Sequence, residues 1–567
     1  MRFKYLVLIL ILLLGSFLRV YRLNQGDVLG DESLLAFRSV ELIDFDEAPK
    51  QTTPLEWLDG NIPWWTKLSF HDHPPLVFII QHLFLSAFGQ TTWAFRLPSA
   101  VFGIASIYLI YLLGRQIMGR ATGLLAAVFL AVNTNHIYIS RIGLQESYVI
   151  FFILLTLYGL LRSGKNPRFL LLVGASLGLG LLTKYTTAVL IPICLVYLAI
   201  YNRKLFRSRF FWQSLVLTVI ITSPVIIYNL MLYRTVGHFD FQLSYIFGQH
   251  PQVWSETPGK EIGSLLYRLA VFPTRLFLTN SPIFLILFFG SLGWLISATL
   301  KKRNSLSHPF APTNPLLFLS LIFLTLLIVL IGPSYRFLTI LTPPMALVIG
   351  LAIAGFINGA KPKTQKIILG FFLSIIAMEL LYSINTNHVS LPRGIIPWTY
   401  AATVEETRAY GYQVLEKYFE HELKNLTPAL TLEPRYKFLD ELQKKTLKQN
   451  RSAKYKLAPR MIVYDDNLQS FAQLWYLDRL QVYRAWPVLK LSNYQTILAQ
   501  NGKNYFSAGG FKMAYFVLPK PGLPLKLNSV SNEGKNFAAY LDLNRSPYAS
   551  LKNQNNSVVF RVYRFTP

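Results

Sequence analysis

Two adjacent carboxylates, Asp31 and Glu32, lie in the segment GDVLGDESLLAFRSVEL, shortly after an apolar N-terminal run. The pattern predicts that they begin an amphipathic helix. One interpretation is an N-cap, because an aspartate before a helix accepts backbone N–H bonds. The other is catalysis, since a carboxylate can act as general base on a hydroxyl while phosphate leaves the opposite face of a sugar. The pair alone leaves both interpretations open.

A second polar group, His71, Asp72 and His73, stands in FHDHPPLVF, directly before two prolines. Prolines are common at helix starts, so the segment predicts a helix that begins after them. The three side chains could bind phosphate, ligate a divalent metal ion or remain solvated in a loop. Their spacing is not diagnostic of a metal site.

Several basic residues occur at the ends of apolar runs. Charges at such ends can snorkel to the membrane surface. Cations that converge on one face would instead suit a phosphate group. We predict a phosphate site from Arg96, Arg141, Lys184, Tyr335 and Arg336, with Glu146 as a further candidate. Glu379, in the last apolar run, is expected to pair with another polar group inside the membrane.

The composition indicates which elements position these residues: 52% of the chain is hydrophobic and only 15% is charged. Apolar runs near the length of about 20 residues that crosses a bilayer recur along the chain. We predict eleven spans, at residues 5–22, 98–114, 121–139, 145–161, 168–184, 186–201, 211–230, 276–299, 314–332, 336–357 and 367–385.

Charge distribution predicts the orientation of these spans. With the N-terminus inside, the cytoplasmic segments contain many Lys and Arg residues and no Asp or Glu. The short apolar stretch 76–88 would reverse this pattern if it spanned, so we expect a helix at the outer interface. Two long outer loops follow, at 23–97 and 231–275. The N-terminal MRFKYLVLILILLLGSFLRVYRL is expected to be an uncleaved first helix.

The fold class follows: a mainly α polytopic membrane domain over residues 1–385, and a soluble extracytoplasmic α/β domain over 386–567. The second domain should begin with the helix TVEETRAYGYQVLEKYFEHEL and contain the strands MIVY, MAYFVL and VVFRVYRF. The formal net charge of +27 does not indicate nucleic-acid binding, because the basic residues lie mostly between spans. The single cysteine, Cys194, excludes disulfides within the chain.

An ordered set of short motifs resembles the GT-C membrane glycosyltransferases, specifically the protein O-mannosyltransferase and lipid A aminoarabinose transferase group. Each motif is weak alone, and their order and spacing are specific. They are LGDES at 29–33, HPPL at 73–76, FRLPSAVFG at 95–103, LLGRQIMGRATGLLAA at 112–127, SRIGLQES at 140–147, GLGLLTKYT at 178–186 and YRFLTILTPP at 335–344.

The resemblance implies a plasma-membrane enzyme that transfers sugar, with inversion, from a polyprenyl-phosphate donor to a hydroxyl of a lipid, glycan or protein. It assigns the catalytic base to Asp31, with Glu32 beside it, and a donor-phosphate contact to His73. Aminoarabinose-type relatives carry an arginine shortly after the acidic pair, where this chain has Leu34 and reaches Arg38 one turn later. A transporter or flippase of a lipid-linked saccharide is the alternative, although its polar groups should line a path across the membrane.

Overall fold

The computed structural model describes residues 2–255, 263–302 and 315–567. Part of the second predicted outer loop, residues 256–262, lies outside this range. Up to residue 387 the described chain is helical: Arg2–Val20, Glu32–Ser39, Pro54–Trp57, Leu76–Phe88, Thr92–Met118, Arg120–Val132, Thr134–Arg141, Glu146–Ser163, Phe169–Leu181, Leu190–Tyr201, Arg209–Val236, Phe241–Ile246, Leu265–Thr279, Pro282–Lys302, Pro315–Ile331, Thr342–Gly359 and Pro362–Asn387. Short 3₁₀ helices occur at Trp64–Lys67, Tyr185–Val189, Arg203–Arg207 and Phe337–Leu341.

All eleven predicted spans overlap these apolar helices. A helix satisfies its backbone hydrogen bonds internally, which a segment in hydrocarbon requires. Among the described residues, five helices are long and apolar enough to cross a membrane, or six if a bent pair counts as one span. Several other apolar helices are shorter, so the number of eleven crossings stays a prediction. The helix predicted after the paired prolines is confirmed at Leu76–Phe88.

The bent pair consists of Arg120–Val132 and Thr134–Arg141, whose axes differ by 61°. Asn133 between them has an extended backbone, and its side chain accepts a hydrogen bond from the His136 N–H. The first half of the pair packs closely on Thr342–Gly359. A Cβ at Gly350 would lie 2.8 Å from the backbone nitrogen of Ala126, so glycine permits this approach of two helices.

The chain divides into two compact units that do not follow the predicted boundary at residue 385. The first unit comprises the N-terminal residues up to Leu23, Trp64–Ile80 and Arg96–Glu405. The second comprises Asn24–Pro63, Gln81–Phe95 and Glu406–Pro567. Segments from the first predicted outer loop therefore fold together with the C-terminal region. The functional division into domains stays a prediction.

The C-terminal region of the second unit is an α/β structure, as the sequence predicted. Its strands are β1 (Leu426–Pro428), β2 (Lys456–Ala458), β3 (Arg460–Tyr464), β4 (Val488–Lys490), β5 (Met513–Pro519), β6 (Tyr548–Lys552) and β7 (Val558–Phe565). A short helix, Val404–Thr407, crosses the boundary between the units at Glu405. The helices that follow are Gln413–Glu422, Lys437–Ser452, Ser470–Gln473, the π-helical Leu474–Asp478, Arg479–Arg484, Leu491–Asn501, Tyr505–Ala508 and Asn532–Leu543.

The main sheet has the strand order β4-β3-β5-β7-β6, and β1 and β2 form a separate parallel pair. β3 is parallel to both β4 and β5, with Ile462 opposite Val488 and Tyr515. β7 is antiparallel to β5 and to β6. The three predicted strands correspond to β3, β5 and β7 and are therefore confirmed. A continuous run of apolar residues buries both faces of β5, as expected of a central strand.

One predicted element is wrong in detail. The helix expected to begin the C-terminal domain is interrupted between Val404–Thr407 and Gln413–Glu422. Gly411 adopts a φ of +132° in the interruption, a conformation that residues other than glycine rarely adopt. Its N–H and that of Gln413 bind the carboxylate of Asp27, a long-range partner that local helical periodicity does not indicate.

Candidate functional site

Asp31 precedes the helix Glu32–Ser39, as predicted. It has helical backbone angles, and its side chain makes no capping hydrogen bond. An N-cap residue normally has an extended backbone and a side chain that accepts an N–H bond, so the capping interpretation does not describe Asp31. Its side chain is half-buried, whereas Glu32 is buried. The helix thus presents Asp31 at its start without using the carboxylate as a cap.

The far end of this helix is fixed within the second unit. Arg38, fully buried, forms an ion pair with Asp46, and its Nε lies 4.0 Å from Asp44 Oδ1. The Ser39 hydroxyl donates to Gln81 Oε1 at 3.0 Å, and the imidazole Nδ1 of His82 lies 3.0 Å from the Ser39 carbonyl oxygen. Arg38 therefore binds carboxylates of its own loop.

The His71–His73 segment is held in the first unit by the residues after Arg209–Val236. The N–H of Phe241 donates to the His71 carbonyl at 2.7 Å, and the Gln242 amide donates to the Asp72 carbonyl at 2.7 Å. The Asp72 carboxylate lies 3.1 Å from Nδ1 of His73. A carboxylate and imidazoles suit Zn²⁺, and a metal at His71, Asp72 and His73 stays a prediction.

Asp240, which the sequence analysis missed, organises that second loop. Its carboxylate caps Phe241–Ile246 through the Leu243 N–H and accepts hydrogen bonds from the Tyr185 hydroxyl and the Asn229 amide. Burial raises the pKa of Asp240, while these donors favour its charged form. An aspartate directly before a short apolar helix was the available sequence signal.

Glu146 forms ion pairs with two of the residues predicted to bind phosphate. Lys184 Nζ lies 2.7 Å from Glu146 Oε1, and Arg336 Nε lies 3.9 Å from the same oxygen. The Lys184 ammonium also sits 4.5 Å from the centre of the Phe337 ring. Lys184 and Glu146 are buried and Arg336 is partly exposed. The structure therefore brings together Glu146, Lys184 and Arg336, with Tyr335 adjacent in sequence.

The other two predicted cations bind backbone carbonyls at the end of the first helix. The Arg141 guanidinium donates to the carbonyl oxygens of Leu18, Arg19, Tyr21 and Arg22, at distances of 2.8 to 3.3 Å. Arg96 donates to the Leu23 carbonyl at 3.2 Å. The last carbonyls of a helix lack intrahelical partners, and Arg141 provides donors for two of them, Leu18 and Arg19, whereas Arg96 binds the loop that follows the helix. Phosphate binding by Arg96 and Arg141 stays a prediction.

Arg19, which the sequence analysis also missed, lies in the first helix and binds backbone carbonyls at the end of another helix. It is fully buried and donates to the carbonyls of Leu130 and Ala131 beside the break at Asn133, at 3.1 and 3.0 Å. The Ser383 hydroxyl donates to the Val132 carbonyl. These bonds satisfy carbonyls that lose their helical partners at the bend. Arg19 of the first helix thus caps the end of Arg120–Val132, and Arg141 of the following helix caps the end of the first helix.

The predicted buried pairing of Glu379 is confirmed, because its carboxylate accepts the Ser281 hydroxyl. From the same helix, the Asn387 amide donates to the carbonyl and hydroxyl of Thr134 at 3.2 and 3.1 Å. Glu379 therefore lies in a polar network around the bent pair of helices.

An apolar cavity lies in the first unit. Two of its lining residues, Ile150 and Ile340, are four residues from Glu146 and Arg336 in sequence, so the cavity begins about one helical turn from the charged cluster. Its walls are almost entirely hydrocarbon; representative lining residues are Leu113, Leu154, Leu157, Leu324, Pro344 and Leu347.

The fold resembles that of ArnT from Cupriavidus metallidurans, solved bound to undecaprenyl phosphate, with a TM-score of 0.50 and 13% identity. The match covers 98% of this chain and 97% of that one. The apo structure of ArnT gives a TM-score of 0.51. Residues 72–228 match the family described as dolichyl-phosphate-mannose-protein mannosyltransferase. The chain therefore has an ArnT-like GT-C fold.

Two Bacillus subtilis (strain 168) proteins are similar to part of this GT-C chain. "Putative mannosyltransferase YycA" is 29% identical over 174 residues, which are 31% of this chain and 24% of that protein. "Putative mannosyltransferase YkcB" is 25% identical over 195 residues, 33% of this chain and 25% of that protein. The chain therefore matches only about a quarter of the length of these curated relatives.

The apolar helices and the partial family match indicate a multi-pass membrane protein. Within the matched GT-C segment lie Asp72, His73, Arg96, Arg141, Glu146 and Lys184. Asp31, Glu32, Tyr335 and Arg336 lie outside it. Their roles therefore rest on geometry and on the sequence motifs.

Proposed function

We propose that the protein is an inverting glycosyltransferase that moves a sugar from a polyprenyl-phosphate donor to an acceptor hydroxyl at the outer membrane face. The observation that carries this proposal is the Glu146, Lys184 and Arg336 cluster beside the apolar cavity. A long isoprenoid phosphate combines an anionic head with a hydrocarbon chain. The cluster offers cations for the head, and the adjoining cavity offers apolar surface for the part of the chain next to the phosphate. ArnT, whose fold this chain shares, has been solved with undecaprenyl phosphate.

In the proposed reaction, the Asp31 carboxylate removes the proton from the acceptor hydroxyl, as general base. The acceptor oxygen attacks the anomeric carbon as the bond from that carbon to the phosphate oxygen breaks. A single displacement of this kind inverts the anomeric configuration. The polyprenyl phosphate departs with the bonding electron pair, and Lys184 and Arg336 stabilise its negative charge. His73 and Tyr335 are the further proposed donor contacts.

The test uses the purified full chain in nanodiscs with donors that carry hexoses or pentoses on polyprenyl phosphate. A lipid and glycan extract supplies acceptors, and the release of polyprenyl phosphate is measured. We expect Asp31→Asn to lower kcat at least about 100-fold, the usual scale for general-base catalysis, with an unchanged melting temperature. An active Asp31→Asn variant would refute the base assignment, and donor transport without release would favour a flippase.

A further inference from the structure

Four consecutive residues, Gly26 to Leu29, lie directly before the Gly30-Asp31 pair and contact the C-terminal region within the second unit. A Cβ at Gly26 would lie 2.5 Å from the carbonyl oxygen of Thr407, so the two backbones touch at this point. Only glycine allows such an approach without displacement of the chain. The first contact is therefore between main chains.

Asp27 makes the central contact. It is fully buried, its N–H donates to the Arg408 carbonyl at 3.2 Å, and its carboxylate accepts the Gly411 N–H at 2.8 Å and the Gln413 N–H at 2.9 Å. Gln413 begins the helix Gln413–Glu422, whose own N-cap residue, Tyr412, provides no side-chain bond. Asp27 thus supplies the cap from a segment distant in sequence.

The next two residues are held in the same way. The Val28 N–H donates to the Tyr476 hydroxyl at 3.1 Å, and the Leu29 carbonyl accepts the Gln469 amide at 3.2 Å. Tyr476 is buried in the π-helical turn Leu474–Asp478. A turn of this type is frequently found at functional sites. The main chain is therefore fixed up to two residues before Asp31, whose own side chain makes no cap bond.

We infer that the C-terminal region positions the proposed catalytic base, and that Asp27 is the positioning residue through which it does so. The inference rests on the proposed function of Asp31. General-base catalysis requires the carboxylate within hydrogen-bond reach of the acceptor proton, and small displacements cost large factors in rate. A backbone anchored at residues 26–29 keeps the Asp31 carboxylate within that hydrogen-bond reach.

Asp59 provides a matched control. Its carboxylate accepts the N–H groups of Lys437 and Phe438, at 2.7 and 3.2 Å, and so joins the same loop to the start of another C-terminal helix. It differs from Asp27 in lying far along the loop from Asp31. If any lost contact between the loop and the C-terminal region lowers kcat, Asp27→Ala and Asp59→Ala should lower it alike. If Asp27 positions Asp31, only Asp27→Ala should lower kcat.

The experiment compares hydrogen exchange and kinetics of the full chain in nanodiscs. We expect Asp27→Ala to speed amide exchange in residues 28–35 at least about tenfold and to lower kcat at least about tenfold, with donor KM within about twofold. Asp59→Ala should change none of these. Tyr476→Phe, a conservative variant that keeps the ring, should show the same pattern with a smaller effect.

The double variant Asp27→Ala/Asp31→Asn separates the two ideas. If Asp27 acts through Asp31, its replacement should not lower the residual activity of Asp31→Asn further. Unchanged exchange in Asp27→Ala, or full kcat in Asp27→Ala while Asp31→Asn is inactive, would overturn the positioning inference alone. Full activity in Asp31→Asn would overturn the base assignment instead, and the exchange data would still decide whether Asp27 fixes the segment.

Discussion

Replacement of Lys184 with methionine tests whether the charged cluster binds phosphate or only stabilises the fold. Lys184 Nζ is 2.7 Å from Glu146 Oε1, and neither side chain is more than 8% exposed. Removal of one partner from a buried ion pair usually costs about 3–5 kcal/mol, because the other charge stays desolvated. Arg336 Nε, 3.9 Å from the same oxygen, compensates part of that charge. We therefore expect Lys184→Met to lower the free energy of unfolding by about 3 kcal/mol, the lower limit of that range.

The double variant Lys184→Met/Glu146→Gln separates stability from binding. It removes both charges and should recover most of the lost stability, because neutral replacements of buried pairs are often tolerated. The contact with the donor would not recover. A hydrogen bond to a charged group contributes about 1.5–3 kcal/mol, which corresponds to about a 10- to 150-fold rise in donor KM.

Thermal unfolding and donor titration of the same nanodisc preparations provide both measurements. Lys204→Met, which removes an exposed lysine, is the control and should match the wild type in both. The reasoning would fail if the double variant regained wild-type donor KM, since Lys184 would then serve only to neutralise Glu146. A single variant as stable as the wild type would refute the estimated cost of the unpaired carboxylate.

Three further predictions follow from the packing and charges. Leu154→Trp should narrow the apolar cavity and raise KM at least about tenfold for a long-chain donor, but not for a donor with two isoprene units, in parallel titrations. Arg141→Lys should lower the melting temperature, because a lysine ammonium cannot bond to four carbonyls, and should raise donor KM if the predicted phosphate contact forms; lower stability with an unchanged KM would refute that contact. Burial raises the pKa of Asp27 from 3.8 to about 6, so the stabilisation from the protonated Asp27 carboxyl is complete below pH about 4 and is lost as the pH rises through about 6. Denaturant unfolding at pH 5 and 7 should therefore show a smaller change in the free energy of unfolding for Asp27→Asn than for the wild type.

The sequence predicted the helices well because apolar runs and charge asymmetry are strong local signals. The helix after the paired prolines began at Leu76 as predicted, and the strands β3, β5 and β7 occurred where β-branched and aromatic residues cluster. The break at Asn133 was not predicted. Its cause is non-local, since Arg19 and Ser383 satisfy the carbonyls that make the bend possible.

The same distinction explains the candidate site. Arg141 and Lys184 both stand at ends of apolar runs, so sequence treats them alike. The structure gives them different partners, because Arg141 lies against the end of the first helix and Lys184 lies against Glu146. Asp27 was overlooked because its partners are backbone N–H groups of residues far along the chain, which leave no local pattern.

The charge of the cluster has a consequence for the order of binding and release. Lys184, Arg336 and Glu146 together carry a formal charge of +1 when all are ionised. A polyprenyl-phosphate sugar is a phosphodiester with one negative charge, so the cluster neutralises the donor. Transfer leaves a phosphate monoester whose charge near pH 7 lies between about −1.5 and −2, like that of other monoesters. The carboxylate of Glu146 would then be close to an anion that the two cations no longer balance. On the proposed function, Glu146 therefore weakens binding of the released polyprenyl phosphate relative to binding of the donor. This effect on product release would explain why a buried carboxylate lies beside the two proposed phosphate-binding cations.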